Sequence, residues 1–171
     1  MNPIQTERVR LRLLAEDDLD MTLAWRNRED VRGWFKHSDV VTPEAHRAWF
    51  ASLQQTDDAL MFIVEDAVSH VPVGQVSIYG IDREVGEAEV GRFIAAPGAS
   101  GKGLIREAIA ALVAFAFSEL GLQRVFLEVY ADNARAIRLY ESLGFEHIAP
   151  DRSTQCDATR AVVFMQRLRT S

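Results

Sequence analysis

One stretch limits the fold of this chain more than any other: a strand, a glycine loop and a long apolar helix in direct succession. Residues 88–95 read as the strand, and Pro97-Gly98-Ala99-Ser100-Gly101-Lys102-Gly103 follows it. Residues 104–120 read as the helix, because Ile105, Ile109, Leu112, Ala116 and Leu120 recur at helical spacing and Gly121 stops the run. The apolar surface of that helix is wide, which suits packing against a sheet face. Glycines in the loop let the backbone turn sharply and point successive N–H groups outward. Added to the positive end of the helix, those groups make an anion site that a pyrophosphate would fit. Two familiar phosphate loops are excluded. Gly103 stands where a Walker A loop needs Ser or Thr after the lysine. Arg106 stands where a dinucleotide fingerprint needs glycine, and that fingerprint follows the first strand of its fold. Taken alone, the loop reads equally as a plain connection into a helix.

The flanking segments supply the rest of a sheet. Residues 9–13 read as a short strand. Asp17, Asp18 and Asp20 open a helix running towards Trp25, since early acids suit the positive end of a helix dipole. Thr42-Pro43-Glu44 starts a second helix through Leu53, with Pro43 near the first helical position, where its missing N–H does no harm. Residues 28–35 between them are a candidate short helix. Strands at 60–65 and 73–81 are separated by a turn around 69–72, and a turn around 82–86 leads into 88–95. The short polar gaps predict antiparallel hairpins. Beyond the long helix come a strand at 123–130, a helix at 133–143 closed by Gly144, and strands at 145–149 and 161–168 around the polar loop 151–157. The order β-α-α-β-β-β-α-β-α-β-β predicts one α/β (α+β) domain over 1–171, with a mixed, mostly antiparallel central sheet flanked by helices.

Composition removes several function classes. A chain of 171 residues fits one core and needs no disulfide staple. The lone Cys156 cannot form an internal disulfide, which suits a reducing compartment. No run approaches 18 apolar residues, and no basic segment followed by an apolar run opens the chain. The expected location is therefore cytoplasmic, with no membrane partner. Nineteen basic against twenty-five acidic residues give a net charge of −6, which argues against nucleic acid as a partner. His37, His46, His70 and His147 show no metal-ligand spacing, so no metal is expected. Cys156, in a polar loop without an evident activating partner, is a poor candidate nucleophile. A monomer and a homodimer are both compatible with the chain.

Downstream lies Asn133-Ala134-Arg135-Ala136-Ile137-Arg138-Leu139-Tyr140-Glu141-Ser142-Leu143-Gly144-Phe145. Asn133 and Tyr140 are seven residues apart, so two helical turns put them on one face. Singly they read as an N-cap and a half-buried tyrosine. As a unit the stretch resembles the second conserved segment of the GNAT (Gcn5-related) N-acetyltransferases, Asn-x-x-Ala-x-x-x-Tyr-x-x-x-Gly-Phe. It lies one helix and one strand beyond Gly101-Lys102-Gly103, which looks like the acyl-CoA pyrophosphate loop of that family, and the order of elements matches over nearly the whole chain. Two positions depart from the family's Arg/Gln-x-x-Gly-x-Gly/Ala loop: Ser100 replaces Arg or Gln, and Ile105 replaces the last small residue. The backbone N–H groups survive both changes, and a bulkier Ile105 is expected to narrow the approach to the phosphates.

The resemblance implies direct acetyl transfer from acetyl-CoA to a primary amine, without an acyl-enzyme. It assigns the pyrophosphate to Ser100, Gly101, Lys102, Gly103, Leu104 and Ile105, and the pantetheine arm to Asn133. It places an oxyanion donor among the backbone N–H groups of Phe93, Ile94 and Ala95. Tyr140, with an unperturbed pKa of about 10, is the implied general acid for the departing thiolate. Glu87 and Glu89 share one strand face, and Glu89, deeper in the strand, is the candidate general base; it reads equally as a salt-bridged strand carboxylate.

The acceptor side of such a cleft is built by the N-terminal helices. Here they carry Trp25-Arg26-Asn27, Trp34-Phe35 and His46-x-x-Trp49-Phe50. Trp25, Arg26, Asn27 and His46 resemble the acceptor pattern of the nucleotide-linked amino-sugar N-acetyltransferases of the pseudaminic acid pathway. Each tryptophan alone reads as readily as helix packing. The opening Thr6–Arg12 also resembles ribosomal-protein-type N-terminal acetyltransferases, an alternative reading, and a non-catalytic CoA-binding sensor is an alternative of another class.

Overall fold

The computed structural model describes residues 1–149 and 160–171. In chain order the elements are β1 (Ile4–Gln5), β2 (Val9–Leu13), α1 (Leu19–Arg26), α2 (Glu29–Arg32), α3 (Pro43–Leu53), β3 (Leu60–Asp66), β4 (Pro72–Asp82) and β5 (Glu87–Ala95). There follow α4 (Leu104–Ser118), β6 (Arg124–Tyr130), α5 (Ala134–Ser142), β7 (Glu146–Ile148) and β8 (Val162–Leu168). The eight described strands form one mixed sheet in the order β1-β2-β3-β4-β5-β6-β8-β7. Every described pairing is antiparallel except β5–β6, which is parallel. A parallel pair needs a crossover, and α4 supplies it.

The core lies between α4 and one face of the sheet. Ala108, Ile109, Leu112, Val113 and Ala116 of α4 are buried against Val9, Leu11, Phe62, Val76, Ile78 and Leu127. Phe115 meets Phe62 edge-on at 6.0 Å between ring centroids. α1 and its neighbours close a second, smaller cluster, in which Trp25 is buried with Ile94, Ala96 and Ala99. Asp18, at the start of α1, is held by Arg12 through two bonds of 2.7 and 2.8 Å, while the Arg12 Nε reaches Glu65 at 2.6 Å. That network ties β2, β3 and α1 together.

Several local details differ from the sequence-based expectation, each for a physical reason. β1 was not expected; two residues carry no periodicity, and the strand exists because Ile4 and Gln5 pair with Leu11 and Arg10. The helix expected from Asp17 begins at Leu19, because Glu16–Asp18 form a 3-10 turn in which the Asp18 carboxylate accepts the Ala15 N–H. The helix expected over 28–35 is only Glu29–Arg32, ending at Gly33. The loop 151–157, with Cys156, lies outside the described residues. None of the described helices is long and apolar enough to cross a membrane.

One irregularity positions everything functional. β5 and β6 pair over only three residues, Glu87–Glu89 against Arg124–Phe126. Beyond that point both strands continue, β5 to Ala95 and β6 to Tyr130, without pairing to each other. β5 is bent away by a bulge against β4: Gln75 pairs with Ile94 while Ser77 pairs with Gly91. Arg92 sits in the extra position with φ 55, a conformation that costs a non-glycine residue about 1–3 kcal/mol. The carbonyls exposed by the bulge are satisfied by side chains, Gln75 Nε2 donating to Arg92 O at 3.1 Å and Ser77 Oγ to Gly91 O at 2.8 Å.

Trp25 thus packs a core rather than facing a ligand, contrary to the acceptor role expected for it. Trp25→Ala should destabilise the protein by about 3–5 kcal/mol, read from urea denaturation, whereas Trp34→Ala at a position 45% exposed should cost far less. Equal losses would refute the packing assignment.

Candidate active site

The gap between β5 and β6 opens into a cavity of about 1040 Å³. Its walls are β5 from Glu89 to Ala95, β6 from Leu127 to Tyr130, the glycine loop, the first turn of α4, and the segment joining α2 to α3. Because paired residues of neighbouring strands share a face, Glu89, Phe126, Glu128 and Tyr130 lie on one side of the sheet. Val125, Leu127 and Val129 turn to the other side, into the core with α4 and α5.

At one end, Ser100, Gly101, Gly103, Leu104 and Ile105 line the cavity. Gly98, Gly101 and Gly103 all have φ between 74 and 80. Gly103 is the N-cap of α4 in the left-handed region, and no side chain caps the helix. The first-turn N–H groups are therefore left for a ligand. Lys102 does not line the cavity; its carbonyl accepts from Arg8 Nη1 at 3.0 Å. Arg8 Nη2 reaches Gly103 O at 3.3 Å and Arg8 Nε reaches Glu107 at 2.6 Å. Thr6 Oγ1 also donates to Glu107 at 2.6 Å. Holding the loop's carbonyls on one side leaves its N–H groups to the other. This brace joins residues about a hundred positions apart, and no local sequence signal marks it. Ile105 still lines the cavity, but its side chain also nests on Gly74: a Cβ there would lie 2.5 Å from Ile105 Cδ1 and 2.3 Å from Ile94 O. Gly74 thus absorbs part of the bulk that was expected to narrow the site.

In the middle of the cavity, Phe93, Ile94 and Ala95 lie along β5. The Ala96 N–H donates to Val73 O at 2.9 Å, and Ile94 pairs with Gln75, so both face β4. Strand alternation turns the N–H groups of Phe93 and Ala95 to the open side. The Ala95 carbonyl is fixed by Arg28 Nη1 at 2.8 Å. Tyr140 of α5 packs 5.9 Å from Phe93 and 6.1 Å from Phe145 between ring centroids. Burial alone pushes its phenol up to about 12, so the hydroxyl stays protonated. Asn133 caps α5, its Oδ1 accepting the Ala136 N–H at 3.2 Å, and it lines the cavity as well. The capping and ligand-facing readings of this residue are thus compatible.

On the opposite face of the sheet sits a cluster of charge. Burial raises the Glu89 carboxyl above the usual carboxylate range, and the nearby Glu128 carboxylate adds to that. Tyr79 donates to Glu89 Oε1 at 3.2 Å, and Arg92 stacks on the Tyr79 ring at 4.2 Å. Lys36 Nζ lies 2.5 Å from Glu128 Oε2. Glu87, the other strand carboxylate, pairs with Arg124 at 2.7 Å and does not line the cavity. Glu128 and Tyr79 carried no sequence signal, because alternation along a strand marks every second residue alike, and Lys36 lies in the connection between α2 and α3, where no periodicity singles it out.

Of the four residues expected on the acceptor side, the structure brings two to the cavity, Arg26 and His46. The Arg26 guanidinium lies 3.9 Å over Phe35, and its Nη2 donates to His37 O at 2.5 Å. Its Nη1 is buried with no partner among the described residues. His46 shares a 2.9 Å hydrogen bond with Thr22 and stacks on Trp49. Burial, with the Arg26 charge, lowers its pKa, so it is a neutral imidazole at pH 7. Asn27 is a structural clip: its amide donates to Val41 O at 2.9 Å and accepts Val41 N–H at 2.8 Å. Neither Asn27 nor Trp25 lines the cavity. Among the described residues, no group of three His, Cys, Asp or Glu could hold a metal ion.

A family model for the acetyltransferase (GNAT) domain matches residues 8–146. Human alpha/beta-tubulin-N-acetyltransferase 9 is 31% identical over 138 residues, 73% of this chain and 65% of that protein, so the match spans just under two thirds of the relative. Spermidine N(1)-acetyltransferase of Vibrio cholerae is 29% identical over 136 residues, 79% of this chain and 77% of the other. Among solved structures, Vibrio cholerae spermidine N-acetyltransferase in complex with CoA and spermine superposes with a TM-score of 0.84 at 24% identity, covering 95% and 96% of the two chains. FdhC, a nucleotide-linked sugar GNAT, superposes with a TM-score of 0.81 at 17% identity, covering 98% and 91%. These two structures share the fold. With the family match over most of its length, the forked sheet and the uncapped glycine-loop helix, this chain belongs to the GNAT acetyltransferase family.

Proposed function

We propose that the chain transfers the acetyl group of acetyl-CoA directly to the primary amine of a small molecule, the two substrates meeting in the fork between β5 and β6. The observation that carries this reading is the fork itself. It has an uncapped helix N-terminus at one end and a carboxylate cluster at the other, on opposite faces of the sheet. Acetyl-CoA fits the residues present: Ser100, Gly101, Gly103, Leu104 and Ile105 would hold its pyrophosphate and Asn133 its pantetheine arm. Bound there, it supplies an activated acyl carbon.

The chain's own groups supply the rest. The Phe93 and Ala95 N–H groups donate to the oxygen that gains charge. Glu89 takes a proton from the acceptor ammonium, directly or through water, and the raised carboxyl is matched to that task. Tyr140, buried and protonated, gives a proton to the departing sulfur. The base thus works from the face of α1 and α3, and the acid from the face of α5.

For the acceptor we favour a nucleotide-linked amino sugar. Arg26 lines the cavity with a permanent cation suited to a phosphate oxygen, and Trp34, Phe35, Trp49 and Tyr130 line it with rings suited to a sugar or base. The Glu89–Glu128 pair favours a second reading, a polyamine, and this is the acceptor named for the Vibrio cholerae relative. We place the reaction in the cytoplasm.

Acetyl-CoA turnover across UDP-amino sugars, polyamines, aminoglycosides and peptides with free N-termini tests the acceptor. With an amino-sugar nucleotide, Arg26→Ala should raise the acceptor KM while calorimetry shows unchanged CoA affinity; preference for spermidine over every sugar would contradict the first reading. Tyr140→Phe should lower kcat by about 10²–10⁴ with CoA affinity retained. An undiminished kcat would mean that another group protonates the thiolate. For Glu89, the base form is lost as pH falls through its raised pKa, so kcat/KM should decline on the acid side above the ordinary carboxylate range. Glu89→Gln should abolish that limb and leave a low, flat rate; a limb that persists would assign it to another group.

A further inference from the structure

Of the nineteen basic residues only Lys36 and Lys102 are lysines; the remainder are arginines, whose guanidinium is no nucleophile at neutral pH. The two lysines are placed very differently. Lys102 sits on the glycine loop and does not line the cavity, while Lys36 does. Its Nζ is 2.5 Å from Glu128 Oε2. Glu128 lies one pleat beyond Phe126, the register partner of Glu89, and on the same face. Lys36 is therefore a primary amine on the acceptor side of the fork, beside the carboxylates that would receive a substrate ammonium.

The segment that carries it is tied across the opening. Arg160 Nη1 donates to Gly33 O at 2.9 Å, and its Nη2 pairs with Asp132 at 3.0 Å. The same guanidinium stacks on Tyr130 at 3.8 Å and on Trp34 at 5.0 Å. Residues just before Lys36 are thus fixed to the far end of β6, and the Lys36 ammonium is paired with Glu128 beside the fork.

We propose that, when no acceptor is present, the chain acetylates its own Lys36. This inference rests on the reading of the fork as an acetyl-transfer site. In the step, Glu89 takes a proton from the Lys36 ammonium. The neutral Nζ attacks the thioester carbonyl carbon, and the new C–N bond forms as the C–S bond breaks. Tyr140 protonates the thiolate, and the second Nζ proton is lost to solvent as the amide forms. Acetyl-lysine has no positive charge, so the ion pair to Glu128 is lost and the cluster gains one net negative charge. The product site would favour cationic acceptors more than the unmodified one.

The chain carries its own control, since Lys102 reports uncatalysed acetylation. The protein is incubated with acetyl-CoA without acceptor and followed by intact mass and peptide mapping. Lys36 should gain one acetyl group at least about tenfold faster than Lys102, because a positioned amine gains from proximity. Tyr140→Phe should slow this, and Lys36→Arg should remove the fast addition. A readout that needs no turnover uses 13C-lysine protein: a turned-over amine from the acceptor panel, added without acetyl-CoA, should shift the Lys36 Cε resonance and leave that of Lys102 in place. Equal, slow labelling of both lysines overturns the proposal. If a panel amine is acetylated while Lys36 stays unmodified, self-acetylation falls and the transferase reading stands. If calorimetry shows no acetyl-CoA binding and no amine is acetylated, both fall.

Discussion

The separation of β5 from β6 after three paired residues is the constraint on which the site depends. A strand leaves unpaired backbone groups wherever it parts from its neighbour, and buried unpaired groups cost free energy comparable to a lost hydrogen bond. Here the cost is partly met by the bulge: Gln75 and Ser77 bond the carbonyls of Arg92 and Gly91. The remaining groups, above all the N–H groups of Phe93 and Ala95, face a cavity of about 1040 Å³. The bulge and the crossover helix α4 act together. The bulge bends β5 out of the sheet, and the short loop after β5 leads into α4, whose uncapped N-terminus lines the same gap.

The fork also separates charge. On the core side, Tyr140 is buried among Phe93 and Phe145 and stays protonated. On the other side, Glu89 and Glu128 repel each other, and Lys36, Arg92 and the Tyr79 hydroxyl hold them together. The Tyr140 phenol and the Glu89–Glu128 carboxylates are thus kept on opposite sides of the sheet. Burying a carboxylate beside another carboxylate is unfavourable unless a cation is near. Lys36 fills that role in the free protein, and a substrate ammonium has the same charge.

Much of the fold could be read from local signals. The strong helix over α4 followed from its apolar spacing, the hairpins from short polar gaps, and the placement of Asn133 and Tyr140 from two turns of helix. The glycine loop and the Asn133–Tyr140 stretch stand out because glycines and an Asn-to-Tyr spacing are local patterns, although Lys102 of that loop does not line the cavity. The acceptor side was not legible in the same way. Trp25 and Asn27 look like ligand contacts in the sequence, yet one packs on Ile94 and Ala96 and the other clips Val41. A tryptophan or asparagine has the same spacing signal whether it faces a core or a cleft, and only the tertiary packing decides. Glu128, Lys36 and the Arg8–Glu107 brace depend on contacts between distant segments, which periodicity does not encode. The bulge at Arg92 has no residue signature either, since arginine is not a residue that favours positive φ.

The central claim is that the fork presents the Phe93 and Ala95 amides, together with those of the glycine loop, to a bound acyl-CoA. Amide chemical shifts in 15N-labelled protein titrated with CoA and then with a non-reactive acetyl-CoA analogue measure this directly. CoA should move the resonances of Gly101, Gly103 and Leu104, and the acyl analogue should in addition move Phe93 or Ala95, while Ile94 and Ala96, bonded to β4, move least. Shifts confined to the β4 side, or absent from β5 altogether, would contradict the account.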